Sequence, residues 1–135
     1  PNDDFWVDGD YHLKSQGWIW NTSRQTWTWD DETSRCIDAG NPFASLGDEP
    51  QSVPSDPDNQ FGENLRINMG AYGGTAEASL APLDWSLPGD LSNNGIVNFL
   101  DFAFGSSSIY NSHMDLSNLS LIVNDWLEQT AWYEE

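Results

Sequence analysis

The chain has 135 residues, with 4 Lys and Arg against 22 Asp and Glu, a net charge of −18 and 13% aromatics. Four scattered cations (Lys14, Arg24, Arg35, Arg66) cannot form the basic footprint that phosphate binding needs, which argues against nucleic acid and anionic membranes as partners. Such charge often marks disorder, yet eight Trp, six Phe and four Tyr supply enough apolar surface to fold, and only 19% of the residues are charged.

The first elements read as strands. Trp18-Ile19-Trp20 and Thr26-Trp27-Thr28-Trp29 alternate with period two around a polar stretch, residues 21–25, which predicts a hairpin with tryptophans paired across it. Short strands are expected at residues 35–39 and 65–69. Gly40-Asn41-Pro42, Gly47 and the polar passage from 48 to 63 interrupt them, and Gly70, Gly73 and Gly74 supply turns. No helical periodicity precedes residue 90. The single Cys36 rules out an internal disulfide and any cysteine-based zinc site.

Composition changes near residue 85. Residues 1–84 contain all four cations and five of the eight Trp, whereas residues 85–135 have no Lys or Arg and seven acids. Two units are expected, 1–84 and 85–135, joined by Ala81-Pro82-Leu83-Asp84-Trp85-Ser86-Leu87-Pro88, a linker able to dock through Leu83, Trp85 or Leu87. In the second unit Phe99-Leu100-Asp101-Phe102-Ala103-Phe104 starts one short helix. Leu116, Leu119, Val123, Trp126 and Leu127 form the apolar face of another, with Asp115 placed to cap it. No apolar run approaches a membrane span, and no basic segment followed by an apolar one marks a signal peptide. The chain opens on Pro1, as expected of a processed product or a piece of something longer.

Residues 90–101 carry the chemistry. Asp90, Ser92 and Asn94 offer side-chain oxygens at positions 1, 3 and 5 of a twelve-residue calcium loop, and Gly95 at position 6 permits the sharp turn. Ile96 offers its carbonyl at position 7, Asn98 serves at position 9, and Asp101 closes the site at position 12. Calcium, a hard ion, takes six to eight oxygens, and alternate residues converge on it only when the backbone coils around it. With two formally charged ligands, affinity is expected at the weak, extracellular end, about 10⁻⁴–10⁻³ M. The competing reading is an Asx-rich turn with Asn94-Gly95 at its tip and no metal.

From Gly89 to Phe102 this stretch resembles the first calcium-binding repeat of a type I dockerin, a module lacking the incoming helix of a true EF-hand. Asp115-Leu116-Ser117-Asn118-Leu119, with Val123 and Asp125-Trp126-Leu127-Glu128, resembles the helix of the second repeat. Residues 106–114 contain no Asp, Glu or loop glycine, so one calcium ion is expected, not two. In the first unit, Asp10-Tyr11-His12-Leu13-Lys14-Ser15, Thr33-Ser34-Arg35-Cys36-Ile37-Asp38-Ala39-Gly40-Asn41-Pro42 and Arg66-Ile67-Asn68-Met69-Gly70-Ala71-Tyr72-Gly73-Gly74-Thr75 resemble the closing segments of secreted right-handed parallel β-helix (pectin-lyase-like) proteins. Arg35 stands where that family commonly has proline, and residues 43–64 match nothing in it.

The expected fold is mostly β with a small α part: the last coils of a β-helix with a hairpin, followed by a two-helix dockerin-like (F-hand) module. The implied function is non-catalytic: an extracellular, calcium-binding attachment or assembly module that contacts a protein partner or further copies of itself. Two alternatives stand beside it. One is the non-catalytic end of a polysaccharide lyase or glycoside hydrolase. The other is a carbohydrate-binding module using Trp18, Trp20, Trp27 and Trp29, whose indoles could stack on sugar rings or serve as an interface. His12 and His113 lack metal-ligand spacing, and no nucleophile elbow, phosphate loop or His-Glu metalloprotease motif is present.

Overall fold

The computed structural model describes residues 9–107 and 116–133. Its regular elements are strands β1 (Ile19–Asn21) and β2 (Thr26–Thr28) and helices α1 (Phe99–Ser106) and α2 (Leu116–Asn124). β1 and β2 form an antiparallel hairpin in the register Ile19↔Thr28, Trp20↔Trp27 and Asn21↔Thr26. The Trp20 and Trp27 rings meet at 5.4 Å and 60°, the cross-strand aromatic contact that stabilises an isolated pair. Asn21 accepts from Arg24 N at 3.0 Å, and Gln25 takes a left-handed conformation to close the turn.

The hairpin is anchored by the strip leading into it. Trp18 bridges Leu80 in antiparallel fashion, with Leu80 N donating to Trp18 O at 2.8 Å, and Ser15 Oγ donates to the Leu80 carbonyl. A Cβ at Gly17 would lie 2.6 Å from Leu80 O, so only glycine allows this approach. Three small apolar clusters follow in series. Trp18, Val53 and Leu80 form the first, with Trp27 against it; Ile37, Ala81 and Trp85 form the second, with Leu13 and Trp132; Leu91, Val97 and Ile122 form the third, with Phe43, Leu87 and Phe104. Trp85 is therefore a core residue at the expected junction. Its Nε1 donates to Ile37 O at 3.2 Å, and Trp132 Nε1 donates to Trp85 O at 2.8 Å, while Leu83 stays exposed.

Residues 35–39 and 65–69 are not regular strands. They run alongside one another with two backbone bonds, Met69 N to Cys36 O at 2.8 Å and Gly40 N to Ile67 O at 3.0 Å. Asp38 causes the break: it adopts φ 55°, and its carboxylate, instead of a neighbouring strand, accepts from Leu65 N at 3.1 Å and Arg66 N at 3.3 Å. The expected inward face of α2 also differs. Leu116, Val123 and Leu127 are exposed and Ile122 is the buried contact, because the helix packs on Leu91 and Val97 through a side roughly a quarter-turn away from that stripe. Trp126, beyond the helix, meets Phe99 edge-on at 5.2 Å. Asp115, the expected cap, lies outside the described residues. No helix among the described residues is long and apolar enough to cross a membrane.

Asp38 makes the fold sensitive to pH. Burial pushes its carboxyl up to about 6, although hydrogen bonds from Leu65, Arg66 and Ser86 and the Arg66 charge pull the other way. A folded pKa above the unfolded value of about 3.9 means that the folded chain holds this proton more tightly. The resulting stability is fully present below about pH 4 and is lost as pH rises through about 6. Across that window the parent should gain about 2–3 kcal/mol relative to Asp38→Asn on acidification. Urea unfolding of both chains from pH 4 to 7 reads that difference directly, since the other carboxylates are common to both.

Candidate metal centre

Loop 90–101 coils around its own two carboxylates. Asp90, 1% exposed, accepts from Asn94 N at 3.0 Å through Oδ1 and from Gly95 N at 2.8 Å through Oδ2. Asp101, fully buried, accepts from Ser92 N at 2.9 Å and Ser92 Oγ at 2.8 Å through Oδ1, and from Asn98 N at 2.7 Å through Oδ2. Asn98 is also the N-cap of α1, accepting from Leu100 N at 2.8 Å, so Asn98 and Asp101 form a reciprocal capping box. Asn94 Oδ1 accepts from Ile96 N at 3.1 Å, and Ile96 bridges Gln129. Gly95 has φ +90°, and a Cβ there would press within 2.9 Å of the Trp132 ring.

The loop is braced from three sides. Val97 is buried between Leu91 and Ile122, which makes position 8 the apolar anchor. The C-terminal segment pairs with the loop through Leu127 N to Val97 O at 2.8 Å, Val97 N to Glu128 O at 3.1 Å and Thr130 N to Gly95 O at 2.9 Å. Asp125 Oδ2 accepts from Gly89 N at 2.9 Å, and Arg66, well upstream in the chain, donates through Nη2 to the carbonyls of Leu87 and Asp90. Periodicity gives no sign of Arg66, Asp125 or Thr130. A lone arginine far from the loop is indistinguishable in sequence from a surface cation.

The charges in the loop are crowded. Burial raises the Asp90 carboxyl above its ordinary range and the Asp101 charge adds to that, against the Gly95 and Asn94 N–H groups and Arg66. Burial likewise lowers the Arg66 guanidinium, opposed by Asp90, Asp38 and Asp101. Each Asp90 oxygen accepts a single hydrogen bond here and keeps a lone pair for another partner. Among the described residues no group of three or more His, Cys, Asp and Glu is assembled, so the loop's charged donors are two carboxylates. Two carboxylates, a hydroxyl, two amides and a carbonyl make an all-oxygen set, which fits a hard cation such as calcium and not a thiolate- or imidazole-seeking metal.

The hairpin tryptophans do not form one platform. Trp18 is buried, Trp20 and Trp27 are half-buried against each other, and Trp29 is exposed. His12 stacks on Tyr72 with centroids 3.8 Å apart, and His113 lies outside the described residues. In comparisons with known proteins, no family, no curated protein and no solved structure matches the chain.

Proposed function

We propose that this chain is a non-catalytic, calcium-stabilised attachment region of an extracellular protein, with a dockerin-like module following the end of a β-helix. The observation that carries the reading is the coiling of residues 90–101 around two buried carboxylates, Asp90 and Asp101. A divalent cation held by Asp90, Ser92, Asn94, Ile96, Asn98 and Asp101 would add to the positive charge that Arg66 sets against Asp90 and Asp101. The unfolded chain has no such site, so binding contributes to folding. Two further features support attachment. Phe99, Leu100 and Phe102 on α1 and Leu116 and Val123 on α2 are exposed, an apolar surface suited to a protein partner or a neighbouring copy. A weak site also fills outside cells, where calcium is millimolar, and stays empty in cytosol.

Calorimetric titration of calcium into the metal-free chain is expected to give one ion per chain, with the heat lost in the Asp90→Ala, Asp101→Ala variant. At 10 mM calcium the parent should gain about 1.5–2.5 kcal/mol, roughly 5 °C or more in Tm, and the variant almost nothing. Absence of heat and of any Tm shift at that concentration refutes the calcium reading, and two bound ions refute the single-site assignment.

A further inference from the structure

Trp18, Trp29 and Phe61 enclose a slot of about 140 Å³, completed by Gln16 and Gly17. Trp29 stands at 79° to Trp18 with centroids 6.0 Å apart, and Phe61 at 84° and 5.6 Å, so two upright rings rise from one buried ring. Trp18 is 7% exposed, whereas Trp29 is 68% and Phe61 52% exposed, large apolar surfaces that the fold leaves open. One carboxylate arranges the box: Asp56, 4% exposed, accepts through Oδ2 from Trp18 Nε1 at 3.1 Å and from Phe61 N at 3.0 Å. Burial alone would raise its pKa, but hydrogen bonds from Phe61, Trp18 and Gln60 outweigh that and hold the carboxyl below its ordinary range. A negative charge therefore sits behind the box, bonded to the Trp18 indole N–H and the Phe61 backbone.

The segments bearing the upright rings are acidic throughout. Asp30, Asp31 and Glu32 follow Trp29, Asp58 and Glu63 flank Phe61, and neither 29–32 nor 56–63 contains a Lys or Arg. Lys14 lies 3.6 Å from Asp30 and 3.4 Å from Glu32, while Asp31, Asp58 and Glu63 have no ion pair among the described residues. We propose that this aromatic box binds the cationic head of a Lys or Arg side chain presented by a basic segment of a partner protein. Aromatic faces attract such cations, most strongly where water is excluded, and a net charge of −18 draws a basic partner to the surface. A sugar fits less well. Gln16 is the only polar side chain of the lining and already accepts from Thr33 Oγ1 at 3.3 Å, whereas a sugar needs several convergent polar groups. This assignment is independent of the calcium reading.

The test follows the indole N–H resonances of the ¹⁵N-labelled chain while a Lys/Arg-rich peptide, tetramethylammonium, cellobiose or a Leu-rich neutral peptide is added at constant ionic strength. Saturable shifts at Trp18 and Trp29 are expected with the basic peptide and with tetramethylammonium. Trp29→Ala and Phe61→Ala should each weaken the basic peptide about tenfold. Trp29 is exposed, so its removal should keep the unfolding midpoint. Phe61→Leu, which keeps apolar volume without an aromatic face, should lose binding as Phe61→Ala does. Saturation by cellobiose or the neutral peptide alone, unchanged affinity in Trp29→Ala, or no saturation with either cation overturns the proposal.

Discussion

Arg66→Met is expected to destabilise the metal-free chain by about 3–5 kcal/mol, the usual cost of removing one partner from a buried charge cluster. Arg66 is 3% exposed and lies among Asp38, Asp90 and Asp101, three carboxyl groups that are themselves buried. Methionine fills much of the same volume but supplies no counter-charge. It also leaves the carbonyls of Leu87 and Asp90 without the Nη2 donor that ties Arg66 to the start of the loop. The native site is already imperfect, since Arg66 Nη1 is buried without a hydrogen-bond partner. Arg66→Lys should recover only part of the loss, because a single ammonium cannot reproduce a planar group reaching two carbonyls while facing three anions. Urea unfolding at pH 7 with chelator present measures both variants. A loss below about 1 kcal/mol for Arg66→Met would mean that water, and not the guanidinium, compensates these carboxylates.

How far the sequence could reveal this arrangement depended on whether an element leaves a local trace. The hairpin is visible because tryptophans recur with period two, at 18 and 20 and again at 27 and 29, and that period survives in the register Trp20↔Trp27. The loop is visible because wrapping a short chain demands oxygens at alternate positions and a glycine at the tightest point, where Gly95 takes φ +90°. Residues 35–69 leave no such trace. Asp38, Glu49, Asp56, Asn64 and Asn68 close that region by accepting from, or donating to, backbone and side-chain groups up to 30 positions away. In a chain with 22 acids, a carboxylate that organises a turn reads like one that faces water. The same blindness hid the role of Arg66. The α2 stripe misled for a related reason: helical spacing identifies an apolar face, but only Leu91 and Val97, distant in sequence, determine that Ile122 is the residue that packs.

Glu49→Ala should cost about 4 kcal/mol, which makes one carboxylate as important to residues 49–74 as Arg66 is to the start of the loop. Glu49 is 5% exposed and has no strand or helix around it. Its Oε1 accepts from Asn68 N at 2.8 Å and Gly74 N at 2.9 Å, and its Oε2 accepts from Asn64 Nδ2 at 2.6 Å. Alanine orphans these three donors in a region where water has little access. Each hydrogen bond to a charged acceptor is worth about 1.5–3 kcal/mol, less in sum because the three share one group. Glu49→Gln separates geometry from charge. The glutamine oxygen can still serve Asn68 and Gly74, but its amide then faces the amide of Asn64. Asn64 cannot turn over, because its Oδ1 accepts from Ala81 N at 2.8 Å and its Nδ2 also donates to Ser79 O at 3.0 Å. The glutamine variant should therefore lie between parent and alanine, about 1–2 kcal/mol below the parent, with two donors left opposed. Denaturation midpoints give this order, and amide exchange at Asn68 and Gly74 should accelerate in Glu49→Ala far more than in Glu49→Gln. If both variants lost the same stability, the negative charge itself, and not the three-way geometry, would hold the segment. That would require a cation near Glu49, and no ion pair to it exists among the described residues.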